Sequence, residues 1–286
     1  MQLRLGDIRT TEILDWKGLH LFHGAMSSCS QKLRIFLNLK RIDWQGHELN
    51  LAQNETYTDY FMGINPRGLV PVLVADGEVH IESNDIITLL EARFPEPCLI
   101  PKDRAGEIAN LLHQEDDLHI ALRTLSLRFV FGRLHSNKSS EMLACYENYK
   151  GTIEGRTGDE SRKKELIFYR SLERKGLTDD MARTAALRFN EIFRDFELTL
   201  TTQAYLLGDE LTIIDIAWFV YVSRLHLGGY PFARLHPCLD KWRETLAEDD
   251  RFAKEVRPPD AIKEQLAKNQ ERWKREEITI SHIAGL

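Results

Sequence analysis

Two kinds of apolar spacing divide the chain. In the first 94 residues, short apolar runs of strand length alternate with stretches in which apolar residues recur every three or four positions. The run at 19–23 is followed by helical spacing over 33–40, and a second strand pattern covers 42–51. Strand, helix and strand in this order predict a βαβ unit, whose two strands lie parallel in one sheet.

A hairpin signal follows. Residues 72–74 and 79–81 are rich in β-branched side chains, and Asp76-Gly77 lies between their flanks. This dipeptide is typical of two-residue hairpin turns, because both positions tolerate a positive φ. A short helix is predicted before the hairpin at 57–63, and a longer one after it, capped by Asn84.

The order β-α-β-α-β-β-α is that of an α/β thioredoxin-like domain. Beyond three prolines within 94–103, the strand signal vanishes and three long apolar faces at helical spacing predict an all-α bundle domain. The predicted organisation is an N-terminal arm (1–18) outside the first domain, a thioredoxin-like domain (19–94), a linker (95–104), an all-helical C-terminal domain (105–259) with a polar insertion at about 133–180, and a charged helical tail (260–286).

Composition narrows the class of protein. Apolar residues make up 43% of the 286 and charged residues 29%, with a net charge of −6, which argues against a nucleic-acid partner. The four cysteines show no CxxC spacing, and the histidines show no metal-ligand spacing. No apolar run approaches the roughly 20 residues of a membrane span, and the N-terminus lacks the apolar region of a signal peptide. We therefore expect a cytoplasmic protein without disulfides, metal or membrane partner.

The first candidate for chemistry is the stretch "AMSSCSQKLR", where the first strand ends and a helix begins. A helix start favours serine as N-cap, and the same free N–H groups and dipole favour an anion. Ser27 or Ser28 can therefore be a plain cap or a donor to a bound anion. Cys29 in the first turn can be a reactive thiol or a small residue that fills space.

Four motifs in series carry a family resemblance: "SSCSQKLRIFLNL", "NPRGLVPVL", "ESNDII" and "LTIIDIAWF". Together with the predicted domain order they resemble the cytosolic glutathione S-transferases of the serine type, over about residues 19–258. The serine loop is similar to that of the zeta class, the maleylacetoacetate isomerases, and of bacterial glutathione-dependent reductive dehalogenases. The long polar insertion and the tail are similar to those of bacterial β-etherases. In the fourth motif, Thr212 and Asp215 predict a structural capping box.

The resemblance implies a role for each residue of the serine loop. Ser27 would donate a hydrogen bond to the thiolate of glutathione, with Ser28 as the competing choice one residue away. In the resembling dehalogenases, a cysteine two residues after the serine attacks a glutathionylated intermediate. Cys29 occupies that position, and in the zeta class the same cysteine is present without that role.

The resemblance also implies the residues that would bind glutathione. The Val70-Pro71 peptide bond would be cis, and the main chain of Val70 would pair with the extended tripeptide. Ser83 would donate to the γ-glutamyl carboxylate, and Glu82 would accept from the γ-glutamyl ammonium. Gln53 would contact the glycyl end.

These observations lead to one principal hypothesis and two alternatives. The principal one is a homodimeric glutathione S-transferase with glutathione as co-substrate, whose thiolate attacks a small hydrophobic, aromatic electrophile in β-ether cleavage or reductive dehalogenation. Trp218 and Tyr221 would be among the walls of the acceptor site. The first alternative is a non-catalytic or weakly catalytic binding protein of the same fold. The second is a maleylacetoacetate-type isomerase.

Overall fold

The computed structural model describes residues 1–132 and 138–286, which form two compact units. The first unit contains residues 1–94 and 138–176, and the second contains 95–132 and 177–286. The helices in chain order are α1 Ser28–Lys40, α2 Asp59–Ile64, α3 Ser83–Arg93, α4 Ala105–Asp117, α5 His119–Ser126, α6 Ser140–Asn148, α7 Glu160–Lys175, α8 Asp179–Thr199, α9 Ile213–Leu227, α10 Phe232–Leu235, α11 Pro237–Ala247, α12 Asp250–Val256, α13 Asp260–Arg275 and α14 Ile280–Ala284.

The first unit is built on a mixed four-stranded sheet in the order β2-β1-β3-β4. Strand β1 runs parallel to β2 and antiparallel to β3, which pairs antiparallel with β4. The predicted βαβ unit and α/β thioredoxin-like domain are thereby confirmed. The strands are β1 Leu19–His23, β2 Gln45–Glu48, β3 Val72–Ala75 and β4 Glu78–Ile81.

The hairpin between β3 and β4 closes at the predicted dipeptide. Asp76 has a φ of 51° and Gly77 a φ of 87°, the positive values that the tightest two-residue turn requires at both positions. Every residue of β3 is buried, whereas β2 lies at the sheet edge and is mostly exposed. The apolar run of β3 therefore marks the centre of the sheet.

The N-terminal arm is part of the first unit rather than an appendage outside it. Gln2 pairs antiparallel with His80, and the Leu3 N–H donates to the Val79 carbonyl at 2.8 Å. The arm thus covers the free edge of β4, which would otherwise expose unpaired main-chain groups. Its apolar residues Leu3 and Ile8 are buried in the same core as the sheet.

The polar insertion also belongs to the first unit, whereas we expected it within the helical domain. Ile153 is 5% exposed and lies in the core cluster with the arm. The buried carboxylate of Asp7 accepts from the Thr152 hydroxyl and, at 2.9 Å, from the Gly155 N–H. Burial works to raise the pKa of Asp7, but these hydrogen bonds outweigh it and hold the pKa below its ordinary value. The arm and the insertion therefore fold against each other.

The second unit is all-helical, as predicted, around a buried α9. Its Thr212–Asp215 capping box is present, with the Asp215 carboxylate accepting from the Thr212 N–H at 2.9 Å. The same carboxylate accepts from the Leu206 N–H at 2.9 Å and from the Trp242 indole at 3.3 Å. The structural role predicted for this motif is confirmed, since all of its partners lie inside the helical unit.

The charged tail packs on the same unit. Trp273 of α13 is 7% exposed and meets the Phe129 ring edge-on at 5.5 Å. The Arg183 side chain donates to the Ile283 carbonyl of α14 at 2.9 Å. Within the two described stretches, no helix combines the length and the apolar character that a membrane crossing needs.

Candidate functional site

The serine loop joins β1 to α1, and Ser27 is the N-cap of that helix. Its main chain is extended, and its Oγ accepts from the Ser30 N–H at 3.3 Å. A serine that accepts one hydrogen bond still has its own hydroxyl proton to donate. Ser27 is half-buried, whereas Ser28 and Ser30 are buried. The cap function and a donor function are therefore compatible in one side chain.

Ser28 and Cys29 occupy the first turn of α1. Ser28 is the first helical residue and is 7% exposed, whereas the Cys29 side chain is half-buried. All four cysteines lie in the described part of the chain, and none of them forms a disulfide there. The loop therefore presents Ser27 and the half-buried Cys29 beside the same helix start, with Ser28 more deeply buried.

The predicted cis-proline segment leads into β3. The Val70-Pro71 peptide bond is cis, and Pro71 is buried while Val70 is half-buried. The Val70 main chain makes no hydrogen bond to any residue that the structure describes. Its N–H and C=O remain available to pair with an extended peptide.

The Glu82-Ser83 pair lies at the start of α3. Glu82 is the N-cap residue, with a positive φ of 68°, and Ser83 is the first helical residue, 6% exposed. Asn84, which we expected to cap this helix, lies inside it, and its Oδ1 accepts from the Lys32 Nζ at 2.7 Å. The Glu82 side chain makes no cap hydrogen bond to this helix. The first N–H groups of a helix have no partner within the helix, so an external acceptor can bind at such a position.

Gln53 lies in the loop after β2, as predicted. It ends a single helical turn, Leu51–Gln53, and its N–H donates to the Asn50 side chain at 3.3 Å. The residue is exposed, so its side chain can turn toward a ligand at this surface.

Sequence reasoning missed Arg67, which lies in the "NPRGLVPVL" motif. This arginine is 6% exposed, and its Nη1 donates to the Glu82 carboxylate. Its Nε and Nη2 donate to the two oxygens of Asp159, at 3.0 and 2.6 Å. Asp159 lies 92 positions away in the insertion. No local sequence pattern predicts such a pair, because both residues are ordinary charged side chains in the sequence.

The electrostatics of Asp159 follow from these contacts. Burial works to raise its pKa, but the hydrogen bonds from Arg67 and from the Arg162 N–H outweigh burial and lower the pKa below its ordinary value. Asp159 is also the N-cap of α7, where its Oδ1 accepts from that N–H at 3.0 Å. The side chain is therefore a fixed, ionised carboxylate.

Trp218 and Tyr221 do not line an accessible surface. They are 0% and 1% exposed, and Trp218 packs against Phe193 and Phe196 within the helical unit. The prediction that these two side chains are walls of the acceptor site is wrong. Their helical spacing is that of a wide buried face of α9. An apolar pattern alone does not distinguish a helix face packed in the core from one that faces a ligand.

A mixed sheet of this order, followed in the chain by an all-helical unit, defines the thioredoxin-like fold class of the glutathione transferases. Residues 26–93 match the family model described as the glutathione S-transferase N-terminal domain. The probable maleylacetoacetate isomerase of Caenorhabditis elegans is 42% identical over 231 residues, which cover 79% of this chain and 87% of that protein. The chain belongs to the glutathione S-transferase family.

Shorter matches and solved structures agree with this assignment. The zeta-class glutathione S-transferase of Euphorbia esula is 41% identical over 85 residues, 30% of this chain; the match spans only 38% of that relative's length. The β-etherase LigF of Sphingobium sp. strain SYK-6 superposes with a TM-score of 0.70 at 23% identity, over 83% of this chain and 98% of that one. A glutathione transferase homologue from Drosophila mojavensis, solved with bound glutathione, gives 0.60 at 18% identity, over 90% and 98%. At these identities the superpositions show the fold alone.

Proposed function

We propose that this protein is a glutathione transferase of the serine type, in which the Ser27 hydroxyl donates a hydrogen bond to the thiolate sulfur of glutathione. The observation that carries the proposal is the N-cap position of a half-buried Ser27 at the start of α1. A thiol with a pKa of about 8.5 needs about 1.4 kcal/mol of differential stabilisation for each unit of lowering. A hydroxyl donor and a helix N-terminus supply stabilisation on that scale.

The remainder of the tripeptide would lie along the first unit. The unpaired Val70 main chain, next to Pro71, supports pairing with the cysteinyl part. The start of α3, where Glu82 makes no side-chain cap bond, supports binding of the γ-glutamyl carboxylate at Ser83 and of the ammonium at Glu82. Gln53 would contact the glycyl end. The proposal makes glutathione a co-substrate of this enzyme.

The thiolate would then attack an electrophilic carbon of a small hydrophobic, aromatic molecule. In β-ether cleavage, sulfur replaces an aryloxide. In reductive dehalogenation, the glutathione thiolate would first form a carbon–sulfur bond to the ring as the carbon–halogen bond breaks and halide leaves. The Cys29 thiolate would then attack the sulfur of this S-aryl glutathione, the aryl carbon would leave with the electron pair and take a proton, and a mixed disulfide would remain. A second glutathione would reduce that disulfide and release oxidised glutathione. The half-buried Cys29 thiol beside Ser27 supports this route.

The isomerase is the second candidate, because the relative in C. elegans is described as a probable maleylacetoacetate isomerase. Isomerisation needs glutathione addition and elimination but no disulfide chemistry. Replacement of Cys29 by serine therefore separates the candidates: we expect it to abolish dehalogenation and to leave conjugation and isomerisation unchanged.

The test is a panel of glutathione-dependent assays on an aryl β-ether, a halogenated hydroquinone, a chloronitrobenzene and a maleyl keto acid, beside calorimetry with glutathione alone. Turnover of any of these substrates that falls in Ser27→Ala supports the proposal. Tight glutathione binding without turnover on any substrate class favours the non-catalytic binding protein. Absence of glutathione binding contradicts the proposal. A cytoplasmic homodimer is proposed on the family resemblance, and sedimentation and cell fractionation test it.

A further inference from the structure

The buried guanidinium of Arg67 lies between two carboxylates that come from distant parts of the first unit. Glu82 is the N-cap of α3, and Asp159 is the N-cap of α7 in the insertion. The side chain of Arg67 is 7% exposed and that of Asp159 is 11% exposed, so this ion pair is largely shielded from water. Two negative charges and one positive charge leave the group with one negative charge in excess.

Two of the neighbouring charges compensate each other. Arg162 and Glu165 both act electrostatically on Tyr146, next to the cluster, and they carry opposite charges. The guanidinium of Arg162 is engaged with the Tyr146 and Tyr149 carbonyls. The Arg67–Asp159 pair leaves the negative charge of Glu82 in excess, and a cation of the ligand can balance it.

The way in which Arg67 divides its donors determines where that cation can bind. Asp159 takes the Nε and Nη2 donors with both of its oxygens, a bidentate geometry that fixes the plane of the guanidinium. Glu82 receives Nη1 on its Oε1. The Glu82 side chain is 44% exposed, so a ligand can reach its carboxylate.

We propose that Asp159 is a positioning residue for the γ-glutamyl ammonium of glutathione, acting through Arg67 on Glu82. This inference rests on the proposed function, in which Glu82 binds that ammonium. Asp159 accepts from two of the three donor groups of Arg67. The arginine therefore cannot donate to Glu82 from both of its Nη atoms. Glu82 thereby keeps its charge and one oxygen for the ligand.

The insertion holds the main chain of Arg67 as well. The Tyr146 hydroxyl of α6 donates to the Arg67 carbonyl at 2.8 Å, and the Arg67 N–H donates to the Asn65 side chain at 3.0 Å. The insertion therefore contacts Arg67 at both ends, and Asn65 closes the turn three positions before Gly68. Contacts with the insertion therefore hold the segment that precedes Val70 in place.

The test uses Asp159→Asn, because asparagine retains the N-cap function and removes only the charge. Calorimetry compares glutathione with γ-glutaryl-cysteinyl-glycine, an analogue that lacks the ammonium. We expect the variant to raise the Kd and KM for glutathione about tenfold, to change kcat less than about twofold, and to change the Kd of the analogue less than about twofold. Asp249→Asn is the matched control, since Asp249 caps α12 and pairs with Arg251 at 2.6 Å in the helical unit.

Two results would overturn the inference: an unchanged Kd for glutathione in Asp159→Asn, or an equal loss of affinity for glutathione and the analogue. If Asp159→Asn does not fold, Asp159→Ser provides a second uncharged cap, and Asp159→Glu, which restores the charge, should recover part of the affinity. Failure of the proposed function would give a different binding result. In that case the wild-type protein does not bind glutathione, or it binds glutathione and the analogue equally.

Discussion

The helices α1 and α3 both begin with a short polar motif, but their first turns are held in different ways. At α1, Ser27 accepts from the Ser30 N–H, and Ser30 accepts from the Gly24 N–H at 3.3 Å, so all partners lie within seven residues. At α3, Glu82 is held by Arg67, which is 15 positions away, and that arginine is held by Asp159, another 92 positions along.

The two helix starts are therefore specified by different parts of the sequence. The start of α1 is determined by the local sequence, since a serine at the end of a strand caps the following helix in any context. At the start of α3 the Glu82 side chain makes no cap bond, and its carboxylate is held by a residue that packing brings near. Substitutions in the first motif should act locally, whereas the second should respond to changes in the distant insertion.

The capping box of α9 is a fully buried helix start, and its loss should have the largest effect. Asp215→Ala leaves the Leu206 and Thr212 N–H groups and the Trp242 indole without their acceptor inside the helical unit. We expect a loss of about 3–5 kcal/mol in the free energy of unfolding, measured by urea denaturation. Asp215→Asn, which retains some acceptors, should lose less. A stable Asp215→Ala protein with reduced turnover would instead indicate a catalytic role.

The second prediction concerns Ser27. Ser27→Ala removes the proposed donor to the sulfur, and a hydrogen bond to a charged group contributes about 1.5–3 kcal/mol. We therefore expect kcat/KM at pH 7 to fall about 10- to 100-fold. Ultraviolet titration should show the pKa of the bound thiol rising toward about 8.5, so that less thiolate is present at neutral pH.

Two further variants separate the donor from the cap. Thr178→Ala removes the equivalent cap of α8, where the Thr178 hydroxyl accepts from the Met181 N–H at 3.2 Å, and should leave the thiol titration unchanged. Ser28→Ala tests the competing assignment. A larger shift in the thiol pKa with Ser28→Ala than with Ser27→Ala would transfer the donor role to Ser28.

The contrast between the two helix starts also explains which features of the structure can be predicted from the sequence. The sheet, the hairpin at Asp76-Gly77 and the capping box were predictable, because each follows from a periodicity or a motif of a few residues. The packing of the arm and the insertion was not, because single apolar side chains such as Leu3 and Ile153 have no periodicity to reveal their partner. The same holds for the site: the serine loop could be identified from the sequence, whereas the Arg67–Asp159 pair could not.

A milder change tests the second contact between the insertion and Arg67. Tyr146→Phe removes the hydroxyl that donates to the Arg67 carbonyl and leaves the ring packed against Tyr57 at 4.9 Å between centroids. A typical hydrogen bond contributes about 1 kcal/mol. We expect a comparable loss of stability and a rise in the KM for glutathione of about two- to threefold. Tyr221→Phe in the helical unit is the matched control, because the Tyr221 hydroxyl donates to the Glu115 carbonyl at 3.3 Å. An equal rise in the KM there would contradict the coupling.

The smallest predicted effect concerns the pairing of the arm with β4 and its dependence on pH. Burial lowers the pKa of His80 below 6.5, only partly opposed by Glu78. The unfolded chain therefore takes up the proton first, so the stability from the neutral imidazole is present above pH 6.5 and declines as the pH falls toward the lower pKa of the folded state. Urea denaturation at pH 7 and pH 5 should show this decline, and His80→Gln should make it shallower. An unchanged slope would mean that protonation of His80 does not weaken the contact between the arm and β4.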